Sequence, residues 1–216
     1  MSETYEMNRT EVAWAELKSA IDTAFAPYID SEIDIDDQDL LSQTMGNLLR
    51  RTFVQFYTDE AGLRELLTRF EQYSPKLLSN TTDCEIFVEE SLTAVVIGLV
   101  TQSDDGHRPY DELHVVPGHV RNVFQKTCFE LVQKYEEEKD ETTLAREMAT
   151  AFIDHIVGCQ VEHRDWQSFK EEFLYFNEPL QRFGAVSGTA DNLIPFATEI
   201  MKEMIIQLYS DTDTED

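Results

Sequence analysis

Five histidines, His107, His114, His119, His155 and His163, are the side chains of this sequence best suited to hold a metal. A metal site needs ligands one helical turn apart, at i and i+3 or i+4, or several loops that converge. Asp104-x-x-His107 and Asp111-x-x-His114 have that spacing, and His119 follows closely. His107, Asp111, His114 and His119 are therefore the candidate metal ligands. They define one alternative for function, a helical metal- or haem-binding enzyme or sensor. The sequence has no H-E-x-x-H, no H-x-x-x-H and no Glu-x-x-His, so the zinc-protease and di-iron patterns are excluded. His155 stands beside Asp154 and Ile156 on an amphipathic segment. That position suits a hydrogen-bonded histidine at the edge of a core, or an axial haem ligand.

Other motifs fail on detail. Asp154-His155 reverses the His-Asp dipeptide of the HD-type phosphohydrolases, so that resemblance fails. Asp30-x-Glu32-x-Asp34-x-Asp36-Asp37-x-Asp39 resembles a calcium loop. However, it lacks a glycine at the sixth position and places Leu41 where a bidentate glutamate is needed. No G-x-S-x-G is present, and no cysteine has a base nearby in sequence. Gly184-Ala185-Val186-Ser187-Gly188-Thr189 precedes a helix but lacks the Gly-Lys-Ser/Thr ending and the strand of a phosphate loop. Cys84, Cys128 and Cys159 are odd in number and widely spaced, as expected for reduced, buried thiols in a cytosolic protein. No cofactor is expected on this reading.

An aromatic stripe is the stronger signal. Trp166, Phe169, Phe173 and Phe176 follow steps of three and four and share one helical face. Tyr175 lies about 100° from Phe176, so the stripe is wider than one seam. Met201 and Met204, with Ile205, add an adaptable apolar surface, because methionine repacks easily. Trp166, Phe169, Phe173, Tyr175, Phe176, Met201 and Met204 are the expected partner surface, for a second copy or another protein, with ordinary core as the alternative for the stripe.

Charge narrows the functions further. Of 216 residues, 43 are acidic and 17 basic, a formal net charge of −26. A nucleic-acid binder needs Lys and Arg to displace phosphate counterions. Here they are scattered, and Arg50-Arg51 is the densest pair. Nucleic acid and anionic membrane surfaces are excluded as partners. The acids occur on every expected helix, with blocks only at Asp34–Asp39, Glu136–Glu138 and Asp211–Asp216. A compact chain of this size exposes about 10,000 Å², roughly one net negative charge per 400 Å². Such neighbours repel when the Debye length is about 8 Å, at 0.15 M salt, and are screened when it is about 3 Å, at 1 M. The composition resembles that of proteins from salt-in halophilic archaea. An acidic mimic of nucleic acid is the other alternative. Thirteen Phe, eight Tyr and two Trp rule out a disordered acidic chain.

Hydrophobic spacing gives an all-α protein of about eight helices. The expected spans are 9–27, 39–57, 60–73, 83–102, 117–138, 142–161, 165–183 and 191–209. Asn8 to Glu11 reads as a capping box for the first and Thr82 to Glu85 for the fourth. Thr58-Asp59 starts the third, and Pro195 lies in the first turn of the last. Leu92 to Val100 is apolar nearly all round. It reads as a central buried helix, with a buried strand as the alternative because Val95, Val96 and Ile97 are β-branched. It is far short of the roughly 20 residues that span a bilayer. The N-terminus is acidic and polar, unlike a signal peptide.

A bundle-like domain over 1–216 is expected, with possible halves 1–103 and 110–216 sharing one core and an acidic disordered tail at 210–216. A TetR-type transcription factor is excluded, since residues 1–57 lack a glycine-containing turn and a basic recognition helix. The leading expectation is a non-catalytic regulatory, adaptor or chaperone-like protein of a high-salt cytoplasm.

Overall fold

The computed structural model describes residues 2–28, 35–56, 59–78, 81–100, 118–135, 141–154 and 194–212. The protein is all-α, and no strand occurs among the described residues. The α-helices are α1 (Ser2–Phe25), α2 (Ile35–Phe56), α3 (Glu60–Tyr73), α4 (Thr81–Val100), α5 (Gly118–Tyr135), α6 (Glu141–Phe152) and α7 (Ile194–Thr212). The helix expected over 165–183 lies outside the described residues. The chain divides into two compact units, one of Met1–Gly98 with Tyr209–Asp216 and one of Leu99–Leu208.

In the first unit α1 packs against α2 and α3. The apolar spacing turns inward as expected: Leu17, Ile21 and Phe25 on α1, Leu41, Met45, Leu49 and Phe53 on α2, and Leu63, Leu66, Leu67 and Phe70 on α3 are all buried. Leu92 to Val100 is helical, and none of the described side chains of α4 from Cys84 to Leu99 is exposed. This is the central helix. With no strand to pair with, the β-branched residues lose only the small helix-propensity penalty, which burial outweighs. Phe87 of α4 meets Phe25 edge to face, with ring centroids 5.6 Å apart and planes at 89°, and a tilted Phe70 at 6.4 Å.

Where α2 crosses α4 the backbones come close. A Cβ on Gly46 would stand 2.6 Å from the Ala94 Cβ and 3.0 Å from the Ser91 carbonyl oxygen. Beside this crossing, Ser42 donates to Glu90 (3.3 Å) and the Arg50 guanidinium donates to the Gly98 carbonyl (3.1 Å). Phe53 is edge-on to Tyr209, at 5.5 Å.

In the second unit α5 packs on α6, and Lys134 bridges to Glu147 at 2.9 Å. Helices α6 and α7 are tied by Arg146 with Glu203 (3.4 Å) and by Thr150 donating to Gln207 (3.0 Å). Leu144, Met148, Phe152, Ile200, Met201 and Met204 are buried.

Several expected boundaries move. Helix α1 begins at Ser2, so Asn8 lies within it and does not cap it. Nothing from Ser2 to Met7 breaks a helix. Helix α2 begins at Ile35, four residues early, with Asp37 and Asp39 in its first turns, near the positive end of its dipole. The acidic string is therefore part helix. Helix α4 starts at Thr81, ahead of the expected cap at Thr82. Helix α3 keeps the expected bounds, and the Asp59 side chain accepts from the Gly62 N–H at 2.7 Å. Helix α7 continues to Thr212, into the expected tail at 210–216, of which residues 213–216 lie outside the described residues. Val123 on α5 is 51 % exposed. The buried seam of α5 runs through Cys128 and Val132, and Val123 is about 140° around the helix from Cys128.

Candidate functional site

The described surface carries an open, shallow groove of about 330 Å³, lined by Trp14, Lys18, Arg69, Gln72, Tyr73 and Lys76. Its geometry follows from helical spacing. Trp14 and Lys18 are one turn apart on α1. Arg69, Gln72 and Tyr73 share a face of α3, and Lys76 follows in the 3-10 turn Ser74–Lys76. Ser74 holds that turn through its hydroxyl, which donates to the Phe70 carbonyl at 2.8 Å.

Trp14 and Tyr73 meet edge to face across the helix pair, with centroids 5.8 Å apart and planes at 84°. Two ammonium groups lie over the Tyr73 ring, Lys18 at 4.7 Å and Lys76 at 5.3 Å from its centroid. Each ammonium is attracted by the negative face of the ring. The Tyr73 hydroxyl donates to Asp22, and the Lys18 ammonium donates to the same carboxylate at 2.6 Å. Arg69 uses both terminal nitrogens on Glu11, at 3.0 and 2.6 Å, and its Nε on Glu65 at 2.6 Å.

These bonds set the local electrostatics. Hydrogen bonds from Arg69, then its charge, hold the Glu11 carboxyl below the usual carboxylate range. Hydrogen bonds from Lys18 and then Tyr73 do the same for Asp22. The Lys18 ammonium is pushed above its ordinary value, first by its bond to Asp22 and then by Tyr73. The groove is thus a charged, two-aromatic platform able to take a polar ligand with a flat or apolar part.

Of the residues singled out from sequence, His107, Asp111, His114, Trp166, Phe169, Phe173, Tyr175 and Phe176 lie outside the described residues, as do His155, His163, Cys159 and the 184–189 segment. His119 is in the first turn of α5, and its side chain is also outside them. Met201 and Met204 are fully buried. The expectation that they present an adaptable surface is corrected accordingly: both are packed in the core that contains α7. Cys84 and Cys128 are free and buried, and desolvation pushes both thiols up, Cys128 strongly. Neither is a thiolate nucleophile at neutral pH. No group of three metal-binding side chains converges among the described residues, and no described helix is long and apolar enough to cross a membrane.

The groove was not among the sequence expectations, which did not single out Trp14 or Tyr73. A signal was present: in a chain so poor in cations, Trp14 and Lys18 are one turn apart, and Arg69, Tyr73 and Lys76 follow at steps of four and three. No family model, no curated protein and no solved structure matches the chain. Fold and groove together describe an all-helical protein with a cationic, aromatic surface cleft.

Proposed function

We propose that the chain is a non-catalytic helical interaction protein of a high-salt cytoplasm, binding a protein partner or a second copy of itself. The observation that carries this is the groove between α1 and α3. Tryptophan, tyrosine and arginine are the residue types that most often dominate binding energy at interfaces. Here Trp14, Tyr73 and Arg69 are partly exposed around one cleft. The stripe Trp166, Phe169, Phe173, Tyr175 and Phe176 is the second surface in this reading.

The high-salt part is supported by charge placement. Glu11, Glu16, Asp22, Asp39, Asp59, Glu60, Glu65, Glu130 and Glu141 all stand exposed on the described helices or their caps. Mutual repulsion among such groups weakens as the Debye length shrinks.

Two experiments test the proposal. Thermal melts between about 0.1 M and 2 M KCl should show a rising midpoint, because screening relieves the repulsion. A flat or falling midpoint removes the high-salt part and favours the nucleic-acid mimic. Light scattering and affinity capture in high KCl should find a dimer or a stoichiometric partner, and Tyr175→Asp should reduce it without loss of helical signal. A strictly monomeric protein with no stoichiometric partner overturns the interaction reading. Bound metal at one equivalent, or a Soret band, would replace it with the metal or haem alternative.

A further inference from the structure

We infer that the α1–α3 groove is a docking site for an acidic peptide segment, one that sets an aromatic side chain beside its carboxylates. The inference rests on the interaction reading and names the partner's chemistry. Charge complementarity carries it. The protein has 43 acidic residues against 17 basic ones, yet the six residues lining the groove include three cations and no acid. Lys76 is exposed and has no ion pair among the described residues; its one recorded contact is with the Tyr73 ring. Its three N–H donors are free for an incoming carboxylate.

The other two cations are held in a way that allows exchange. The carboxylates on Arg69 and Lys18 are rim groups, with Glu11, Glu65 and Asp22 side chains 61, 52 and 45 % exposed. Carboxylates this exposed are screened by water and salt, which weakens their hold on a cation. A ligand carboxylate can therefore replace a rim carboxylate at little net cost. The half-buried Trp14 then supplies the contact that a rim carboxylate cannot, apolar surface for an aromatic ring. The groove's 330 Å³ is at the small end of ligand sites, fitting one or two side chains of a short segment.

The solvent explains why such a partner can approach a protein of charge −26. Near 1 M salt the Debye length is about 3 Å, so long-range repulsion is screened while contacts at hydrogen-bond distance persist. A nucleic acid, with a charge about every 1.7 Å of duplex, meets too few cations here to displace its counterions.

The test is a titration of the isotope-labelled full chain in about 1 M KCl, followed through the Trp14 indole and Lys76 backbone resonances. The probe is the synthetic peptide Glu-Glu-Tyr-Glu, compared with Lys-Lys-Tyr-Lys and with a short single-stranded oligonucleotide. The acidic peptide should shift both resonances saturably, and the other two should not. Lys76→Glu should weaken binding about tenfold or more, the order expected on reversing a contact charge. Lys76→Arg should retain binding, and Lys126→Glu, on exposed α5 surface, should leave it unchanged. The inference is overturned if the acidic peptide gives no saturable shift, if the basic peptide or oligonucleotide binds as well, or if Lys76→Glu binds normally. A protein that recovers a stoichiometric partner but ignores the acidic peptide refutes the proposed occupant alone. One that does neither refutes the interaction reading too.

Discussion

The two units pack their interiors with different materials. In the first, rings meet at defined angles: Phe87 against Phe25 and Phe70, and Phe53 against Tyr209. In the second, the buried set around α6 and α7 is richer in methionine: Met148, Met201 and Met204 lie with Phe152, Phe196, Leu144, Ile200, Ile205 and Ile206, where the first buries Met45. Flat rings have few rotamers and preferred mutual geometries, so they specify one arrangement. Methionine has three rotatable side-chain bonds and fills whatever shape remains. The first unit should therefore punish changes of shape, while the second should absorb them.

The largest expected effect is at the ring cluster. Phe87→Ala should cost about 3–5 kcal/mol, the usual loss for a fully buried phenylalanine. Met204→Leu, equally buried, should cost under about 1.5 kcal/mol because volume is conserved and neighbours repack. Urea unfolding of both variants at one fixed KCl concentration measures the pair. Equal losses would break the contrast between the units.

A second test sharpens it within the first unit. Gly46 sits where a Cβ would stand 2.6 Å from that of Ala94. Gly46→Val should force α2 off α4 and cost about 1–3 kcal/mol, as overpacking does. Gly46→Ala should cost less, since alanine regains about 1 kcal/mol of helix propensity. If Gly46→Val is as stable as wild type, the crossing is looser than the ring geometry implies.

The smallest effect is at the exposed rim of the groove. Glu11 and Asp22 have depressed carboxyl values in the folded state, through Arg69 and Lys18 respectively. Their contribution is present above the ordinary carboxylate range, near pH 4. It is lost as pH falls through the lower folded values. Glu11→Gln should flatten the acid limb of stability slightly and leave the neutral plateau almost unchanged, as read from melts in 0.1 pH steps. A large loss at neutral pH would mean that the Arg69 network is structural and would count against its exchangeable rim.

Most of the helical class was legible because periodicity is local. The steps among Leu63, Leu66, Leu67 and Phe70 have only one helical solution, and Asp59 marked where that helix begins. The starts of α1 and α2 were less legible. For α2, acidic residues read as loop by composition, yet the dipole makes them good first-turn residues. The groove was hidden for another reason: Trp14 and Tyr73 are far apart in sequence, and only the packing of α1 on α3 brings them into contact.

The sequence by itself determined the all-α class, the inward faces of α1 to α4, the burial of Leu92, Val95, Val96 and Ile97 and the acidic surface. Each follows from the 3.6-residue period or from composition, which need no knowledge of neighbours. Only the tertiary structure decided that Trp14 and Tyr73 form the walls of a cleft, that Met201 and Met204 are core, and that Val123 faces out. An apolar face is core or surface according to whether another helix covers it, and that depends on residues far along the chain.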